Sequence, residues 1–433
     1  MTSHKKQAFE RPDLGASGLL RAPELGMPKY RNTMNVVHTK MVLDDRVTLK
    51  DRVCLIKWGW YSMSMATGGI AVLLSRTPHQ FTGLEIIGKI VYIFNLAFFL
   101  AITACMAVRF ISRPTALKES FRDGNESYYV PTCLLAIATI ILGAEAYGTS
   151  ACGLWLQVAL RIMFWIYAAI STLSAIFHNW YLYHLAMASQ QPFPIAQLLP
   201  SFPAMLSGTI ASSIAANQPR DQALPILIGG VTLQGFGFIM SLLIYAEYQY
   251  FLAKHGLPER AKRPQMFIAV GPWSFTALAL IGMAKEGVKV FPSRYIISYA
   301  DPMSPGNVTV STGDIVLVIA SFFAIFVWTM AFFHLCIAAI SVLASTKIFG
   351  GAGAPPMSVV YWGIVFPNTG FIIATISIGQ VLRSPAILWV TSVLTVLQVI
   401  MWLGVGIATI LAVARRQMLW PEDVKTGIED DLS

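Results

Sequence analysis

Charge is what this sequence has least of. Only 12% of its 433 residues are Asp, Glu, Lys or Arg, where an ordinary soluble domain has about a quarter; 55% are hydrophobic, and the mean hydropathy is +0.61. So little charge cannot keep a chain of this length in water, which excludes a soluble globular protein and leaves a polytopic membrane protein. Cysteine is scarce as well. Cys54, Cys105, Cys133, Cys152 and Cys336 lie mostly inside apolar runs and form no C-x-x-C pair, so neither a disulfide framework nor a zinc site is indicated. The sequence has no Gly-rich phosphate loop, no nucleophile elbow and no H-E-x-x-H, so no active-site motif supports an enzyme, and neither cofactor nor metal is expected. Behind the first lysines there is no apolar h-region, so a cleaved signal peptide is not expected. The net charge of +9 falls largely on the N-terminal tail and between apolar runs, as topology demands, and it does not indicate a nucleic-acid partner.

What is present is a series of ten apolar runs, at about 58–76, 83–112, 128–147, 152–187, 195–217, 222–253, 265–284, 313–345, 358–382 and 384–413. Odd-numbered runs are short and rich in Gly, Pro, Ser and Thr; even-numbered runs are longer and richer in Leu, Ile and aromatics. The alternation predicts an all-α membrane protein of ten transmembrane helices: five repeated hairpins with quasi-five-fold order, odd helices around a central pore and even helices facing lipid. Proline recurs in register in the odd runs, at Pro131, Pro203, Pro272 and Pro367, with spacings of 72, 69 and 95 residues. Each is expected to bend its helix. The chain then divides into a largely disordered cytoplasmic tail (1–50), a transporter domain (51–414) and a C-terminal tail (415–433), with Leu43 to Lys57 lying along the inner membrane surface.

The ninth run is the least ordinary. At helical spacing Gly363, Phe366, Gly370, Ala374 and Ser377 share one face, bare except for the Phe366 ring. Such a face suits either a closely packed neighbouring helix or a pore wall carrying a plug. Arg113, Lys118, Arg122, Lys254, Arg260, Lys262, Arg263, Lys347, Arg415 and Arg416 fall at the ends that share the N-terminus, so both termini are expected in the cytoplasm, with the Asn307-Val308-Thr309 sequon outside and Glu422 to Asp431 as an inner acidic tail.

The segment Trp60-Tyr61-Ser62-Met63-Ser64-Met65-Ala66-Thr67-Gly68-Gly69-Ile70-Ala71 and the pair Phe366-Pro367 resemble the tellurite-resistance and dicarboxylate transporter family of guard-cell anion channels, malate permeases and sulfite efflux pumps. Gly271-Pro272-Trp273-Ser274-Phe275-Thr276 is most similar to the fungal malate permease branch, which commonly has a second proline where this chain has Trp273; the indole either narrows the seventh helix's face or meets lipid. The resemblance spans roughly residues 55 to 413. It implies ten helices around a pore, a homo-oligomer, often a trimer, of independent pores, and a gating role for Phe366.

A C4-dicarboxylate such as malate must find positive charge or oriented donors if it is to shed water inside a low-dielectric passage. Arg76, Arg161 and Arg383 are the candidate cations, with snorkelling to headgroups the alternative for Arg76, Arg109 and Arg383, and a pair with Glu145 the alternative for Arg161. Ser64, Thr67, Ser207, Thr276, Thr369 and Ser377 are the candidate donors, with bonds to their own helix backbone the alternative. His178, His334, Glu145 and Glu247 are candidates for proton coupling; a lone membrane histidine is more often a packing residue, and His178 and His184 do not share a face. The expectation is a plasma-membrane malate and C4-dicarboxylate transporter. The rivals are an inorganic-anion channel or sulfite exporter on the same fold and, from another class, a haem-binding oxidoreductase.

Overall fold

Inside a bilayer a backbone amide finds no water, so each apolar run must satisfy its own polar groups, and a helix does this locally. The computed structural model describes residues 47–186, 195–292, 311–346 and 356–420, and every regular element among them is helical. The chain divides into Met1–Arg46 and Val47–Ser433, and only the second unit contains described residues. The N-terminal tail to residue 46, the sequon at Asn307, Lys347 and the acidic tail lie outside them.

The long elements are α1 (Tyr61–Arg76), α2 (Leu84–Ser112), α3 (Thr132–Cys152), α4 (Leu154–Ala186), α5 (Phe202–Ile214), α6 (Arg220–His255), α7 (Val270–Val290), α8 (Thr312–Leu343), α9 (Val365–Val381) and α10 (Pro385–Ala414). Eight of these, counting the lead-in turns of α7 and α9, are long and apolar enough to cross a membrane. The other two, α1 and α5, have 16 and 13 residues. At 1.5 Å per residue they reach only about 24 and 20 Å, short of a hydrocarbon core of about 30 Å.

Burial separates two layers. The spans containing α7 and α9 are 83% and 78% buried and α3 is 50% buried, whereas α2, α4, α6, α8 and α10 lie between 22% and 33%. In α1 every residue from Tyr61 to Leu74 is buried, and in α5 every residue from Phe202 to Ala211. Contacts among the buried helices close on themselves: α1 touches α3, α3 touches α5, α5 touches α7, α7 touches α9, and α9 returns to α1. Each even-numbered helix packs against the inner helix before it. The approach is closest between α7 and α8, where a Cβ on Gly313 would stand 2.5 Å from the Val288 Cα. The inner helices all begin at one face, here the near face, and end at the other, the far face.

The prolines do not sit where a kink would need them. Pro131 is the N-cap of α3, Pro203 the second residue of α5, and Pro272 and Pro367 the third residues of α7 and α9. In the first turn the amide has no intrahelical acceptor, so a proline removes nothing there. Before α7 and α9 the chain is wound as 3-10 helix, at Arg260–Ala269 and Val359–Ile364, and the prolines mark its change to α-helix. They start helices where the sequence pattern suggested bends. Gly363 consequently lies in the 3-10 turn, and the shared face begins at Phe366.

Arg109 does not snorkel. It is buried at the near face, where its guanidinium grips Glu126 at 2.6 and 3.1 Å and donates to the Ile56 carbonyl at 3.0 Å. Glu126 also accepts from Ser120 at 3.1 Å and from the Trp58 amide at 3.4 Å, which joins the end of α2 to the start of α1. Nearby, a short helix Leu49–Val53 is closed by a Thr48–Asp51 capping box, whose hydrogen bonds hold the Asp51 carboxyl below its ordinary range. After α10 the chain turns back, and the Trp420 ring lies between Arg52, at 5.3 Å, and Arg416, at 4.5 Å. Arg109→Met leaves the buried Glu126 carboxylate with only the more distant Lys57 ammonium, at 3.9 Å, and is expected to destabilise the protein by about 3 kcal/mol. Thermal unfolding in detergent checks this, and Arg109→Met combined with Glu126→Leu is expected to recover much of the loss.

Candidate functional site

Three of the inner helices place a phenylalanine at the same level. Phe202 and Phe366 each stand one residue before the first-turn proline of their helix, and Phe275 stands three residues, close to one turn, after Pro272. The Phe275 and Phe366 rings stack at 4.9 Å, Phe202 meets Phe275 edge-on at 5.7 Å, and Phe202 lies 6.2 Å from Phe366. These are favourable aromatic distances, and Phe366 and Phe202 are each only 1% exposed. Glycine makes the room: a Cβ on Gly370 would stand 2.5 Å from the Phe275 ring, and one on Gly271 2.7 Å from Phe202. The bare face of α9 therefore serves both a packed neighbour and an aromatic cluster. The sequence singled out Phe366 alone. The repeated Phe-Pro pair at 202–203 was the available signal for Phe202, whereas nothing in spacing alone marked Phe275.

On the near side of the rings is a cavity of about 20 Å³, bounded among others by Ser62, Met65, Tyr129, Phe202, Val360 and Phe366. It has room for about one water. None of its lining residues is charged. At the same face the Tyr129 hydroxyl accepts from Gln265 at 3.0 Å, reaching from the lead-in of α3 to that of α7 past the intervening α5.

The candidate donors mostly turn toward the outer helices. Ser64 donates to Asn95 of α2 at 2.9 Å, Thr67 accepts from Trp402 of α10 at 3.2 Å, Thr276 accepts from Gln234 of α6 at 2.8 Å, and Thr369 accepts from Gln398 of α10 at 3.2 Å. Thr67 and Thr369 also bond their own backbone, at Met63 and Val365. These hydroxyls clamp the layers together. Ser207 differs, being fully buried on α5 with its Oγ unpartnered, and Ser377 is half-buried near the far end of α9.

Arg76 ends α1 at the far face, where Nη2 bonds Glu145 at 3.3 Å and Ser213 at 3.2 Å. Glu145 also accepts from Asn217 at 3.4 Å. The pairing considered between Glu145 and Arg161 is thus not the one formed; Arg161 stands two turns into α4, half-buried. Arg383 is exposed in the turn after α9, with a left-handed φ of 49°. His178 faces Ser127 at 3.4 Å, and His334 lies between the Met330 carbonyl at 2.8 Å and Gln249 at 3.2 Å. Glu247 is exposed on α6. Among the described residues no hydrogen bond joins any two of His178, His334, Glu145 and Glu247. Trp273 meets neither lipid nor the ring cluster, for it is buried and stacked on Tyr245 at 4.8 Å. A cation that the sequence pattern passed over, Lys285, lies on α7 just past the seventh apolar run.

A closed ring of buried helices around an aromatic cluster, wrapped by a second layer of long apolar helices, is the architecture of a multi-pass membrane protein. The chain matches the voltage-dependent anion channel family, SLAC1, over residues 56–410 and belongs to that family. Two proteins of Schizosaccharomyces pombe are each 32% identical to it. The malic acid transport protein aligns over 357 residues, 82% of this chain and 78% of that one, and a second, assigned provisionally to malic acid transport by its name, over 389 residues, 88% and 86%. The sulfite efflux pump SSU1 of Arthroderma benhamiae is 25% identical over 328 residues, 76% of this chain and 82% of the pump.

Thr276→Val strands the Gln234 amide and is expected to lower stability by about 1–3 kcal/mol. Ser207→Ala is expected to stay within about 0.5 kcal/mol of the parent. Thermal unfolding of the two variants in detergent measures the difference between a clamping hydroxyl and an uncommitted one.

Proposed function

We propose that this protein carries malate and related C4-dicarboxylates across the plasma membrane, along the axis of the five inner helices, and that Phe366 gates the path together with Phe202 and Phe275. In this reading the ten helices are ten spans in five hairpins with quasi-five-fold order, the near face and both termini are cytoplasmic, and protomers assemble as a trimer with one path each. The convergence of three rings from three different helices inside a closed helical ring is the observation that carries it. The relatives named for malic acid transport support the choice of substrate.

Arg76 is the cation best placed to meet an anion, while Arg161 and Arg383 take secondary positions. Ser207 and Ser377 are the hydroxyls left to line the path. An inside-negative potential drives anions outward by about 2.3 kcal/mol per charge per 100 mV, so net import of a dianion requires a second ion or a protonated form. His178, His334, Glu145 and Glu247 are the groups for such coupling, each acting from its own helix. The second reading, an inorganic-anion channel or sulfite exporter, draws on the similarity to the sulfite efflux pump.

Flux of labelled malate into proteoliposomes at fixed potentials, with and without a pH gradient, tests the proposal. Malate is expected to move and to be competed weakly by nitrate and sulfite; movement of those two without malate selects the second reading. Phe366→Ala is expected to raise malate flux about tenfold, equivalent to about 1.4 kcal/mol off the barrier. Phe202→Ala and Phe275→Ala are expected to raise it less. Unchanged flux in a folded Phe366→Ala protein would make the ring a packing element.

A further inference from the structure

The two mouths of the helical ring differ in a way that backbone electrostatics makes consequential. Five helix N-termini meet at the near face, where their dipoles present partial positive charge, and five C-termini meet at the far face, where they present partial negative charge. At the inner rim an anion is drawn to the first and repelled by the second, while the antiparallel outer helices oppose this farther from the axis. At the far mouth the opposing cations are close at hand: Arg76 ends α1, and Lys285 and Lys289 lie in the last turns of α7.

These three cations are not equivalent. Arg76 is countered by Glu145 at 3.3 Å, and Lys289 by Glu286 at 3.0 Å. Lys285 instead donates to the neutral Gln380 amide oxygen of α9 at 3.0 Å. Among the described residues Lys285 forms no hydrogen bond or ion pair with a carboxylate, although Glu286 lies within its electrostatic reach. An ammonium has three donors, of which Gln380 takes one. Arg76 lies within electrostatic reach of Lys285, and through Ser213 its guanidinium spans from α1 to α5, which are not neighbours in the ring, so it lies over the mouth.

We propose that Lys285 and Arg76 form an anion-receiving site at the far mouth, in which Lys285 selects for anion charge. This rests on the reading of the helical axis as an anion path. The site takes carboxylates and other oxyanions: Lys285 attracts the first charge with donors that no carboxylate among the described residues occupies, and a second carboxylate competes with Glu145 for Arg76. A positive potential acts on each charge the ligand carries, so its effect enters the binding constant as a power of that charge. Whatever factor Lys285 contributes for a monoanion, it contributes the square of that factor for a dianion.

The test is the apparent affinity for nitrate and for malate, each added to one face at a time in planar bilayers holding the full chain. At low salt Lys285→Gln is expected to weaken far-face nitrate about threefold and far-face malate about tenfold, with both losses shrinking at high salt. Near-face affinities are expected to hold, and Lys285→Arg to retain the parent values. Equal losses for the two anions, equal losses at the two faces, or no loss in a folded Lys285→Gln protein would each overturn the proposal. If the parent protein carries nitrate but not malate, the dicarboxylate reading fails on its own, and nitrate compared with the divalent anion sulfite still decides the role of Lys285.

Discussion

In a bilayer the hydrophobic effect cannot hold one helix against another, because lipid tails are as apolar as the helices themselves. The fold meets this constraint with hydrogen bonds directed from the outer layer inward. Asn95, Gln234, Gln398 and Trp402 each reach an inner hydroxyl, and Tyr92, Tyr167 and Tyr245 each donate to a carbonyl at Ile140, Pro203 or Ala269. The inner helices are thereby held from outside. Their inward surfaces are left to small residues and to the three rings, and the aromatic cluster depends on that arrangement, since Gly271 and Gly370 make space only while α5, α7 and α9 keep their separation.

Much of this was legible in the sequence. The ten apolar runs and their alternation anticipated the two layers, because lipid exposure and interior packing select different residues along each run. The resemblance at Trp60 to Ala71, Gly271 to Thr276 and Phe366-Pro367 led to the right family. What stayed hidden was direction. A threonine inside a membrane helix has the same composition whether it faces a path or a glutamine on the next helix, so Ser64, Thr67 and Thr276 could not be told apart from Ser207. Proline register was visible, but its meaning depended on where the α-helix begins, and the 3-10 lead-ins at Arg260–Ala269 and Val359–Ile364 gave no periodic signal.

Long-range pairing was the other unreadable part. Arg76 with Glu145 joins residues 69 positions apart, and Arg109 with Glu126 ties the end of an outer helix to the start of an inner one. Hydropathy places such charges near helix ends and stops there. Their partners follow only from the order in which the helices close.

The same closure gives the small contact between Arg52, Trp420 and Arg416 a topological meaning. Helix α9 returns to α1, and the segment after α10 folds back onto the segment before α1, so the gap between the first and last helix pairs is a gap in covalent connectivity alone. Among the described residues the helices close a ring that the covalent chain leaves open. A chain re-cut in a far-face loop and rejoined between the neighbourhoods of Arg52 and Trp420 would present the same set of neighbours to every described helix.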